Sequence, residues 1–187
     1  MQRLTGLILL LAVATLGCGI FTPKSSDRDS WPTPVISADE AQKLEDSVRE
    51  AAKQLDSNLP VVLVVTESQL TSFVALKLEE QAITAIQAPQ IFLRDGKVLA
   101  DVTYNEGGAE LKMSVDLKFV LNDGVITVMI EAIRLNGFSA PLAMVNKAQT
   151  AITEQVEPAL NEYLTKGMYI DSLIIADGTL TMTGKKP

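Results

Sequence analysis

The chain predicts an α+β fold in which a curved antiparallel sheet of hairpins wraps on a long C-terminal helix, with two shorter N-terminal helices. Three observations carry this. Asp95-Gly96, Asp123-Gly124 and Asp177-Gly178 each separate two strand-like runs, and Asp-Gly is a strong hairpin signal because both central residues of the favoured turn need positive φ. Ser37 with Glu40, and Thr66 with Gln69, form capping-box patterns that open helices. Across residues 139–164, Leu142, Val145, Ala148, Ile152, Val156, Ala159 and Tyr163 fall close to one helical stripe.

Residues 1–17 have the layout of a secretory signal, with Arg3 as the positive n-region, an apolar h-region to Leu16, and small Gly17 before the cut. Thr15-Leu16-Gly17-Cys18 places the one cysteine of the chain at the position of a lipobox cysteine, which is acylated and becomes the mature N-terminus. An uncleaved helix is the alternative, because residues 4–21 are uncharged and 18 long, at the lower limit for spanning a bilayer. Gly17 and Gly19 weigh against it, each costing about 1 kcal/mol in a helix interior. Residues 18–36 then read as the acylated N-terminus and a flexible tether, and 37–187 as a single domain. The eighteen tether residues 19–36 span roughly 23 Å as a coil and at most about 60 Å when extended. Trp31 is either an anchor at headgroup level or folds back onto the domain.

From Ser37, Ala41, Leu44, Val48, Ala51 and Leu55 make a narrow apolar stripe that Asn58 and Pro60 end. Residues 60–66 (PVVLVVT) read as a strand buried on both faces. A second helix runs from Thr66 to about Glu80 with Leu70, Phe73, Val74 and Leu78 on one side. Between Gln81 and Pro89 the pattern fits either more helix or a new strand. Residues 111–121 alternate cleanly, giving a strand with one wet and one dry face, whereas 125–135 are apolar on both faces apart from Glu131 and Arg134. That second face calls for a cover or a ligand. Pro158 should bend or break the long helix, and 168–183 form the last hairpin.

Composition narrows the function. Asp and Glu number 23 against 16 Lys and Arg, with no basic run, so nucleic acid is not an expected partner. The chain has no histidine, which removes Ser-His and Cys-His nucleophile pairs and the commonest general base. No catalytic site, metal site or cofactor is expected, and the carboxylate pairs Asp39/Glu40, Glu45/Asp46 and Glu79/Glu80 read as solvated helix faces. Met113, Met129, Met144, Met168 and Met182 suit either core packing or a surface that accepts varied apolar ligands.

The runs PQIFLRDGKVLADVTY, LNDGVITVMI, LNGFSAPL and IDSLIIADGTLTMTG, in this order around the helical stretch, resemble the LmeA-type family of phospholipid-binding envelope proteins, with tubular lipid-binding (TULIP) architecture. The resemblance rests on element order and apolar pattern over most of residues 60–184. It implies a strongly curved sheet around a long helix, with an apolar groove between them for acyl chains. The lining expected for that groove is Phe73, Met113, Leu117, Phe119, Val128, Ile130, Val145 and Ile152. The expected protein is an extracytoplasmic lipoprotein, anchored to a bacterial membrane by the lipid on Cys18, that binds a phospholipid or fatty acid. A scaffolding lipoprotein with a dry core and a protein partner is the alternative.

Overall fold

The computed structural model describes residues 27–56, 59–106, 108–165 and 168–186. The expected signal, the Cys18 lipidation site and residues 19–26 of the expected tether lie outside the described residues. After a 3-10 turn (Asp27–Ser30) come helix α1 (Ala38–Asp56), strand β1 (Val61–Thr66) and helix α2 (Glu67–Glu80). Strands β2 (Ile86–Arg94), β3 (Lys97–Glu106), β4 (Ala109–Asn122), β5 (Val125–Leu135) and β6 (Phe138–Ser139) follow as a meander. Helix α3 (Leu142–Ala151), a π-helical turn (Ile152–Val156) and helix α4 (Glu157–Thr165) lead to strands β7 (Tyr169–Ala176) and β8 (Thr179–Lys185). The class is α+β as expected. Its strands form two antiparallel sheets, ordered β2-β3-β4-β5-β6 and β1-β8-β7.

The turn chemistry is direct. Asp95, Asp123 and Asp177 and the glycine after each all have positive φ, as a type I′ hairpin requires. Asn136 (49°) and Gly137 (84°) repeat the geometry and join β5 to β6. The box at Thr66 is complete, with the Gln69 amide donating to Thr66 Oγ1 and the Gln69 side chain accepting from the Thr66 amide. At Ser37 only half forms: the Glu40 amide donates to Ser37 Oγ, but the Ser37 amide donates to Ser72 Oγ. The ambiguous segment after Glu80 resolves as turn, then strand. Ala82 takes a φ of 53°, the Ile83 amide reaches back to Leu78 O, and β2 starts at Ile86.

Three expectations are corrected. The single long C-terminal helix is instead α3, a π turn and α4. Ser139 belongs to β6, opposite Arg134, so the helix begins only at Leu142. Pro158 has no N–H and its ring would clash with the carbonyl four residues back. A wider turn precedes it, in which the Glu157 amide bonds Ile152 O five residues back. The single hairpin sheet is instead two sheets, because β7 and β8 pair with β1 while helix side chains occupy both long edges of the large sheet, as described below. Finally, β1 is buried on one face only: Val61, Leu63 and Val65 are buried, whereas Val62 and Val64 are 61% and 47% exposed.

Residues 27–36, in the second half of the expected tether, lie on the domain. The Arg28 guanidinium is buried and ion-pairs with Asp101 and Asp116, and Asp116 also binds Arg134 at 3.1 Å. Trp31 folds back: its ring meets Phe92 edge-on at 5.3 Å, with the Arg94 guanidinium 5.3 Å from its centroid. Val35 exchanges backbone hydrogen bonds with the hydroxyls of Ser68 and Ser72.

At Gly184, between Val61 and Ile170 in the small sheet, an added Cβ would lie 2.7 Å from the Met168 side chain and 2.8 Å from Tyr169 O. The carbonyl has little room to yield. Gly184→Ala is therefore expected to destabilise the domain by about 1–3 kcal/mol, the usual range for overpacking; a urea midpoint at or above that of the parent would contradict this.

Candidate functional site

Residues directly opposite on antiparallel strands share a face, as do residues two apart on one strand. One face of the large sheet is thereby uncharged in four successive rows. Its cross-strand rows read Leu93-Val98-Leu117-Ile130, Ile91-Ala100-Val115-Ile133, Val102-Met113-Leu135-Phe138 and Ile86-Tyr104-Leu111. Phe119 with Val128 and Leu121 with Ile126 extend it at the Asp123-Gly124 end. At that end the core residues of the small sheet pack over it, where Val61, Leu63, Val65, Ile170 and Met182 share one buried cluster with Ile126 and Val128. Toward the opposite end the face opens, and Val102, Tyr104, Leu111, Met113 and Leu135 are only half-buried.

Between the layers lies a cavity of about 300 Å³. Ile91, Val98, Phe119 and Ile126 of the large sheet form its floor, and Leu63, Val65, Leu173, Leu180 and Met182 of the small sheet its roof. Leu44 and Val48 of α1, Leu70 and Phe73 of α2 and Leu160 of α4 complete the walls. Every lining side chain is hydrocarbon or thioether. The cavity therefore offers a ligand neither a charge nor a side-chain hydrogen bond.

Polar chemistry appears at the sheet edges instead. Along β2, the Ile91 amide donates to Thr71 Oγ1 at 2.9 Å and the Leu93 amide to Glu67 Oε1 at 2.6 Å, both from α2. Glu67 also ion-pairs with Arg94. Along β5, the amides of Ile126, Val128 and Ile130 donate to Asn161 Oδ1, Glu157 Oε1 and Gln149 Oε1. Asn161 and Gln149 return hydrogen bonds to the carbonyls of Ile126 and Val128. Helices thus serve as the missing neighbour strands, since an open edge is a row of unpaired donors and acceptors. Asn161→Leu is expected to cost about 1–3 kcal/mol by stranding both backbone groups of Ile126, which is 1% exposed. Unchanged hydrogen-exchange protection at Ile126 would contradict the edge-sealing role.

Of the expected groove residues, Phe73 and Phe119 line the cavity. Leu117, Val128 and Ile152 belong to the surrounding core cluster without lining it. Ile130 shares their face beside Gln149, while Met113 and Val145 are half-buried. The expected groove between sheet and long helix is thus replaced by a cavity between two sheets, to which the C-terminal helices contribute Leu160. The roof is hidden in 60–66, which is apolar at every position from Val61 to Val65 and so reads as buried on both faces; the alternation of Leu180 and Met182 with Thr179, Thr181 and Thr183 is the signal that identifies it. Among the methionines, Met182 lines the cavity, Met168 is in the core, and Met129 and Met144 are exposed.

The fold and site define an α+β domain with an apolar cavity between two sheets. No family model matches the chain, and no curated protein matches it.

Proposed function

We propose that the protein is a membrane-tethered lipoprotein of the cell envelope that holds an acyl chain, from a fatty acid or phospholipid, between its two sheets. The observation that carries this reading is the purely apolar cavity of about 300 Å³. Small-ligand sites begin at about that size, and apolar cavities of about half that volume stay dry and accept hydrocarbon guests. Left empty, such a volume would cost on the order of 7 kcal/mol at about 24 cal/mol per Å³. An alkyl chain removes that cost and adds about 0.8 kcal/mol for each methylene taken from water. Support also comes from the signal-like layout of residues 1–17 followed by Cys18, which would tether the chain at a membrane surface where acyl chains are supplied. The uncharged lining supports binding or transfer of an acyl chain.

Titration of the delipidated protein with a fluorescent fatty acid tests this reading. Saturable binding at one equivalent is expected, and a flat titration would contradict it. One observation favours a second reading, a scaffolding lipoprotein with a protein partner: the outer face of the small sheet exposes Val62, Val64 and Ile174. Charged substitutions there that disrupt envelope function while sparing fatty-acid binding would favour scaffolding.

A further inference from the structure

Among the described residues, Leu142 is the most exposed large apolar side chain, at 73%. Phe138 and Met144, each about half exposed, lie within four residues of it. The three stand in an uncharged run, 135–146, bounded by Arg134 and Lys147. Such an exposed apolar cluster marks an interaction surface. Its position indicates the partner. Phe138 ends the row Val102-Met113-Leu135-Phe138, so the cluster borders the open end of the apolar face, away from the small sheet.

The N-terminal segment meets the same end of the sheet on its other face, because Asp116, Arg134 and Ser139 alternate with the apolar-face residues Leu117, Leu135 and Phe138. Arg28 is held by Asp116, Asp116 also binds Arg134, and Arg134 lies opposite Ser139 in β6. Neighbouring strands are about 4.8 Å apart, so Arg28 is fixed on the sheet about two strand spacings from β6. Arg28 lies ten positions after Cys18, the anchor of the proposed function; fully extended, that length reaches about 35 Å. A chain whose membrane-directed segment ends there brings this end of the domain to the bilayer first.

We propose that Phe138, Leu142 and Met144 form a membrane-inserting tip that seats the open end of the apolar face on the lipid surface. This rests on the tether of the proposed function but not on occupancy of the cavity. Apolar side chains dip into the headgroup and acyl boundary, and flanking Lys147 suits anionic headgroups.

The test places an environment-sensitive dye on Leu142→Cys in the full-length lipidated protein, reconstituted in vesicles of phosphatidylglycerol and phosphatidylethanolamine. A dye on Ile174→Cys, on the outer face of the small sheet, serves as the comparison. Quenching by lipids spin-labelled in the acyl chain is expected at position 142, at least five-fold stronger than at 174. Equal quenching, or stronger quenching at 174, overturns the proposal. So does concentration-dependent shielding of the 142 dye without lipid, which would make the cluster an interface between copies of the chain. A second variant, Phe138→Asp with Leu142→Asp, is expected to bind dissolved fluorescent fatty acid like the parent but to acquire it from vesicles at least ten-fold more slowly. Parent-like acquisition from vesicles overturns the tip. Loss of binding to dissolved fatty acid by the parent itself would contradict the cavity reading alone, because the quenching result stands without it.

Discussion

Replacing Leu173 and Leu180 together by phenylalanine is expected to weaken fatty-acid binding at least ten-fold while leaving the delipidated protein as stable as the parent, or more so. Both side chains line the roof of the cavity and are partly buried. Leu173 lies beside Met182, and Leu180 beside Val65 and Ile175. Two rings in their place occupy volume that an alkyl chain would use. A ten-fold loss corresponds to about 1.4 kcal/mol, less than two methylenes' worth of burial at about 0.8 kcal/mol each. The sign of the stability change makes this informative. Enlarging side chains in a filled core usually costs about 1–3 kcal/mol, whereas filling a void recovers part of its cost. Parent-like affinity in the double variant would place the ligand elsewhere, and a large loss of stability would mean that the interior is already full.

Arg28→Met is expected to lower stability by about 3 kcal/mol, because removing one member of a buried ion pair leaves its partner uncompensated. Asp101 and Asp116 both bind the Arg28 guanidinium, whose side chain is 6% exposed; Asp116 keeps Arg134. In a domain of this size that loss lowers the melting temperature by about 6–12 °C. Trp31, the sole tryptophan, reports the local consequence. Without the Arg28 clamp its packing on Phe92 and Arg94 should loosen and its emission shift to the red. Pairing Arg28→Met with Asp101→Leu should restore part of the loss, since residues sharing an ion pair are coupled rather than additive. A change under about 0.5 kcal/mol with unaltered emission would show that the N-terminal segment is not clamped.

The elements that local chemistry dictates were legible in the sequence. Each Asp-Gly pair produced its hairpin, and Thr66 with Gln69 produced a complete cap, because these depend on neighbouring residues alone. Asn136-Gly137 carries the same signal and joins β5 to the short strand β6. Long-range pairing was less legible. That β8 would join β1 depends on helices occupying the edges of the large sheet through Thr71, Glu67, Gln149, Glu157 and Asn161. Those side chains look like ordinary polar helix residues. Thr71 and Ser72 illustrate why: they are the buried residues of α2, whereas periodicity had placed Leu70, Phe73, Val74 and Leu78 on the inward side. Phe73 and Phe119 were identifiable as lining because they sit on apolar faces whichever layer covers them. Leu173, Leu180 and Met182 required knowing where the closing hairpin would land.

An acyl chain held between the two sheets would stay with the protein through gentle extraction. Native mass spectrometry of the full-length protein, gently extracted from its own membrane, tests that occupancy most directly. One noncovalent lipid mass is expected on the parent protein and is lost in the Leu173→Phe, Leu180→Phe variant. A parent protein carrying no lipid, or a lipid retained equally by both, would contradict it.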